Sequence, residues 1–154
     1  MKKIIAIVLT LCLVISLPGL LAGATFLILV AASDDRADKN DVFEFVRENE
    51  EELIKAIEAG EFSAFENQGF IKNIDPEEWV VEFSCGGVGF GSGTSYVGFY
   101  YTPNGDMTAV WCAPVSANSL VPSGDGFRWQ EPDGDNRYYT EHICGNFYYY
   151  EASF

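Results

Sequence analysis

Beyond residue 32 the most reactive side chains are Cys85, Cys112, Cys144 and His142. In number and type they match four zinc ligands. The spacing does not: there is no Cys-x-x-Cys pair, and His142-x-Cys144 is too short for the usual zinc patterns. No metal is therefore expected, and a disulfide is the natural use of the thiols. Cys85–Cys144 and Cys85–Cys112 are the rival pairings. His142 is the single histidine, so a Ser/His/Asp triad or a cysteine–histidine nucleophile has to use it, and no nucleophile-elbow motif accompanies it. Carboxylate pairs drawn from Glu82, Asp106, Glu131 and Glu141 carry no signal, because 23 acidic residues offer many such pairs. Asp133, Asp135, Asn136 and Glu141 have the spacing of oxygen ligands, but Tyr138 stands where a calcium loop needs glycine. The glycines from Gly86 to Gly93 lack the lysine and following helix of a phosphate-binding loop, and read as a flexible hairpin loop. No catalytic residue and no cofactor is expected, and the chain does not read as an enzyme.

The remaining constellation is aromatic: Tyr96, Tyr100, Trp111, Trp129, Tyr138, Tyr148 and Tyr150. Amphipathic rings on an exposed sheet face bind sugars, peptides and proteins. The competing use of the same rings is to fill both faces of a sheet that has only one helix to cover it.

The elements that must position these residues follow from periodicity. Asp41 with Glu44 three residues on is a capping-box pattern. Val42, Val46, Leu53 and Ile57 form an apolar stripe, Glu51 and Lys55 make an i,i+4 pair, and Gly60 ends the helix. Asn49 and Glu50 interrupt the stripe. From Pro76 onward the pattern is β. Strands are expected near 79–83, 96–101, 107–111, 127–129, 138–143 and 147–153, with Asn104-Gly105 turning the chain between the second and third. The expected class is α+β: an N-terminal transmembrane helix, then one amphipathic helix packed on an antiparallel meander sheet of about six strands. In a meander, Cys85, Cys112 and Cys144 all lie at one rim.

Residues 4–32 contain no charge. Their 29 residues exceed the roughly 20 that cross a hydrocarbon core of about 30 Å, and Pro18-Gly19 is the natural kink. A secretory signal has a shorter apolar region, so a retained anchor is the first reading and a cleaved signal peptide the second. Lys2 and Lys3 place the N-terminus on the cytoplasmic side. The organisation is thus an anchor at 1–32, a linker at 33–40 and an exported domain at 41–154. All 23 acidic residues and only seven of the nine basic ones lie beyond residue 32, which leaves that part at −16. Such a surface repels nucleic acid and anionic lipid, and favours partners that carry positive charge.

The stretches CGGVGFGSGTSYVGFYYTPNGD and DNRYYTEHICGNFYYYEASF resemble small, uncharacterised membrane-anchored proteins of bacteria. The likeness covers roughly residues 76–154. It implies an anchored, exported domain and assigns no activity. The function expected is a non-catalytic binding or interaction module at the plasma membrane, with a protein, peptide or glycan partner at the cell surface. A small envelope hydrolase using His142, a structural subunit of a membrane complex, and a secreted form are the alternatives.

Overall fold

A computed structural model of the chain describes residues 35–66, 68–90, 93–109 and 119–154. The expected anchor, Trp111 and Cys112 lie outside them. No described helix is long and apolar enough to cross a membrane. Asp35–Phe154 is one compact unit, so residues 35–40 of the expected linker belong to it.

The described residues open with two short helices, α1 (Lys39–Glu48) and α2 (Glu50–Ala59). Asp38 caps α1, its side chain accepting from the Asn40 amide at 2.8 Å, so the start lies upstream of the expected Asp41. The single expected helix is broken where its stripe failed. Asn49 leaves the helical region (φ −115°, ψ 17°), and its side-chain amide donates to the Phe45 carbonyl at 2.8 Å. The break lets Val42 and Val46 of α1 and Leu53 and Ala56 of α2 all reach the core. Gly60 ends α2 in the left-handed region, as its position suggested.

Seven strands follow: β1 (Asn73–Pro76), β2 (Val81–Phe90), β3 (Gly93–Tyr101), β4 (Val121–Ser123), β5 (Gly126–Gln130), β6 (Arg137–Cys144) and β7 (Phe147–Ser153). They form one antiparallel sheet in the order β1-β2-β3-β7-β6-β5-β4. Among the described residues, two helices and seven strands thus replace the one amphipathic helix and about six strands expected after the anchor, and the sheet is not a single meander. The reason lies after Tyr101. Residues 102–109 do not return as a strand beside β3. Thr102 Oγ1 donates to Asn104 Oδ1 at 2.9 Å and accepts from the Asp106 amide at 2.7 Å, which closes the Asn-Gly segment into a compact loop. The place beside β3 is taken by β7, seven residues of which pair with it. The sheet is therefore two antiparallel runs, β1–β3 and β4–β7, joined at β3–β7. Its edge strands β1 and β4 are short, and each contains a proline, Pro76 or Pro122.

The sheet buries both faces. On the helix side, Phe83 and Phe99 sit opposite each other on β2 and β3 and stack at 4.5 Å. With Cys85, Val97, Ile143, Phe147 and Tyr149 they meet the apolar sides of α1 and α2. On the other side Tyr100, Tyr138, Tyr148, Tyr150, Val80 and Ala152 form a second core. Gly98 makes that second core possible. It faces Tyr150 across β3–β7, and a Cβ there would lie 2.2 Å from the Phe83 carbonyl oxygen and 2.8 Å from the Tyr150 ring.

Gly98→Ala therefore forces β2, β3 and Tyr150 apart. The expected loss of stability is about 1–3 kcal/mol, read as a lower urea midpoint. An unchanged midpoint would mean that the ring has room to move.

Candidate binding site

The helix-free face is less open than a line of aromatic residues suggests. Tyr100, Tyr138, Tyr148 and Tyr150 are each at most 6 % exposed. Tyr100 stacks on Tyr148 with ring centroids 5.4 Å apart, and Tyr138 on Tyr150 at 6.4 Å. The loop after β3 folds over them. The Tyr100 hydroxyl donates to the Met107 carbonyl at 2.7 Å and meets Thr140 Oγ1 at 2.7 Å, while the Tyr148 hydroxyl donates to the Gly105 carbonyl at 2.8 Å. Met107, Leu120, Trp129 and Phe154 pack against the group. Burial pushes the Tyr100 hydroxyl well above the ordinary phenol range, so it stays protonated. Of the seven aromatic residues singled out from sequence, four are thus core, Trp129 is half-buried and Trp111 lies outside the described residues.

Tyr96 differs. It is 41 % exposed and lies 6.2 Å, ring to ring, from Phe154. The two rings border an open depression of about 520 Å³ that is also lined by Asn73, Glu82, Ser84, Tyr150 and Ala152. The strand pattern explains the grouping. Glu82 and Ser84 alternate with Val81 and Phe83, so they face away from the helices, as do Tyr96 and Tyr150. The Tyr150 hydroxyl donates to Glu82 Oε1 at 2.5 Å, which fixes the carboxylate in the wall. Phe154 is held in place by paired backbone bonds with Thr94, at 2.9 and 3.0 Å. One carboxylate, one exposed phenol and a ring edge can hold a cationic group beside an apolar one. Glu82, Asn73, Ser84 and Phe154 were absent from the sequence-derived aromatic set. The alternation of residues 79–83 placed Glu82 off the core face, but only the β2–β3 register brings it to Tyr96 and Tyr150.

The expected Cys85–Cys144 disulfide is not formed, and its rival Cys85–Cys112 involves a residue outside the described ones. Cys85 and Cys144 are both free. β3 and β7 lie between their strands, so the separation is about 14 Å across the sheet, beyond disulfide reach. They do not share a rim either. Cys144 pairs with Phe147 at the turn end of β6, whereas Cys85 sits mid-strand in a bulge of β2. Burial raises the Cys85 thiol far above its ordinary range and Cys144 to about 11. His142 is exposed, its Nε2 is 2.9 Å from the Gly145 carbonyl oxygen, and its ring meets Tyr148 edge-on. No cluster of three or more possible metal ligands occurs among the described residues.

A polar node lies under the start of α1. The Lys39 ammonium pairs with Glu141, which also accepts from the Tyr139 hydroxyl, and stands 5.3–5.7 Å from the ring centres of Phe43, Tyr139 and Tyr149. Burial alone would raise Glu141, but the bonds from Lys39 and Tyr139 outweigh it and hold the carboxyl below its usual range. Lys39 moves the other way: burial lowers it, and the Glu141 bond more than restores it.

No protein-family model, curated protein or solved structure matches the chain.

Glu141 should therefore support the fold above its ordinary pKa and cease to do so as pH falls through its lowered native value. Lys39 contributes below its ordinary pKa and stops doing so as pH rises through its raised one. Glu141→Gln is expected to cost about 1–2 kcal/mol at neutral pH and to flatten the acid limb of a stability–pH curve below about pH 4.5. A parallel, undiminished limb would show that the pair contributes nothing. In alkylation mapping, Cys85 should be modified only after denaturation and Cys144 slowly in the native state. Fast native labelling of Cys85 would contradict its burial.

Proposed function

We propose that this chain is a non-catalytic binding module whose ligand presents a positively charged group next to an apolar one. The observation that carries the reading is the depression that joins the fixed Glu82 carboxylate to the exposed Tyr96 and to Phe154. Net charge supports it, since a domain at −16 draws cationic partners and repels polyanions. The uncharged run at residues 4–32 supports attachment to the plasma membrane, with the domain on the exported side and a protein, peptide or glycan partner met there. A hydrolase built on His142 has less support. Nε2 of the imidazole lies against the Gly145 backbone carbonyl, and no hydrogen bond from a carboxylate orients the ring as a general base among the described residues.

The test is fluorescence anisotropy of a labelled Gly-Lys-Trp-Lys peptide with the full-length protein in nonionic detergent, at about 0.15 M salt to suppress diffuse attraction. Saturable binding is expected. Tyr96→Ala and Glu82→Gln should each weaken it about fivefold or more, and His142→Ala should leave it unchanged. Equal binding by all three variants would reduce the attraction to bulk charge and remove the reading.

A further inference from the structure

Seven basic side chains lie in the described domain, and five are engaged. Lys39 meets Glu141, Lys55 meets Glu51 at 4.0 Å and Lys72 meets Asp35 at 3.5 Å. Arg47 lies over the Phe43 ring at 5.1 Å, and Arg36 also has a partner. Arg128 and Arg137 remain. Neither guanidinium pairs with a described residue, although acidic residues outnumber basic ones 23 to 9.

The two line the same open depression, about 620 Å³ in volume, together with Ser123, Tyr139, Glu151 and Ser153. Arg128 of β5 sits opposite Tyr139 of β6, and Arg137 is two residues before Tyr139 on the same strand face. The arginines are therefore diagonal neighbours, about 7–8 Å apart at their bases. Two long guanidinium forks at that spacing can close on one planar or tetrahedral oxyanion. The Glu151 carboxylate also lines the depression, but its Oε1 accepts from the Tyr149 hydroxyl at 3.0 Å, and among the described residues no ion pair ties it to either arginine. The pair of guanidinium groups therefore retains a net positive charge. Ser153 shares a hydrogen with Ser95, Oγ to Oγ 2.8 Å, at the floor. Tyr139 packs on the helix-side core, so Arg128 and Arg137, which share its face of the sheet, project opposite to Glu82 and Tyr96.

We propose that the Arg128–Arg137 depression is a second binding site, one that takes a small oxyanion, either phosphate or carboxylate. Two adjacent like charges repel each other, and that cost is recovered when an anion sits between them. The acidic surroundings set the size limit. A polyanion is repelled by the rest of the surface, whereas a single anionic group within reach of both forks is not.

Full-length protein labelled with ¹⁵N-arginine, in nonionic micelles, provides the test. Its four arginine Nε–H signals carry an internal control, because Arg36 and Arg47 lie outside the depression. Inorganic phosphate and glucuronate are titrated separately at constant ionic strength. The Arg128 and Arg137 signals should move saturably while the other two stay still. Arg137→Gln should weaken the response of Arg128 about tenfold. A response to phosphate alone assigns a phosphate group, and one to glucuronate alone a carboxylate. The site is refuted if all four signals drift together, or if neither anion gives saturable movement up to about 50 mM.

Discussion

Everything in this domain depends on the pairing of β3 with β7. Seven residues of each strand meet there, and they join one three-stranded run to one four-stranded run. Phe99 and Tyr149 face the helices from this seam, while Tyr100, Tyr148 and Tyr150 face the other way. Both cores are therefore anchored on the same backbone ladder. Gly98 is its tightest point, since the Tyr150 ring passes where a side chain would stand. A sheet loaded on both faces needs a second cover, and the loop 102–109 provides one through carbonyls that accept from Tyr100 and Tyr148.

The helix side has a second organising device. Residues 35–38 are strapped to the sheet before α1 begins. The Ala37 amide donates to the Cys85 carbonyl at 2.9 Å, and Asp35 Oδ1 accepts from the Gly87 amide at 3.0 Å. Those groups are available because β2 bulges between Ser84 and Gly87. Gly86, at φ +111°, lies so close to the strap that a Cβ would stand 2.3 Å from the Asp35 carbonyl oxygen. Lys39 completes the attachment at Glu141. A glycine-rich stretch that reads as a loosely built loop is thus mostly strand, with a bulge shaped to receive the chain that precedes α1.

What the sequence disclosed was local. Strands were expected at 96–101 and 147–153 and a helix end at Gly60, and each is present, whereas Asn49 and Glu50, read as a polar interruption inside one helix, prove to be the break between α1 and α2. The pairing order was hidden. Asn104-Gly105 carries the signature of a hairpin, yet its neighbours Thr102 and Asp106 close a loop instead. That one difference exchanges the neighbour of β3 and lets the loop cover tyrosines that read as a surface. The two depressions were illegible for the same reason. Glu82 with Tyr96, and Arg128 with Arg137, are brought together by cross-strand register, which no single segment encodes.

The position of β7 also bears on how the chain acquires its shape as it emerges from a ribosome or a membrane pore. Of the seven strands it is last in sequence and central in space. Until residue 153 is free, β3 shows an unpaired inner edge, and β4–β6 have no partner through which to join β1–β3. Folding of the whole sheet must therefore await β7, with its slowest contacts spanning about fifty residues from β3 to β7. In that interval the glycine- and tyrosine-rich strands are exposed to one another and to other chains. A holding factor, or simple dilution, would matter most at that stage.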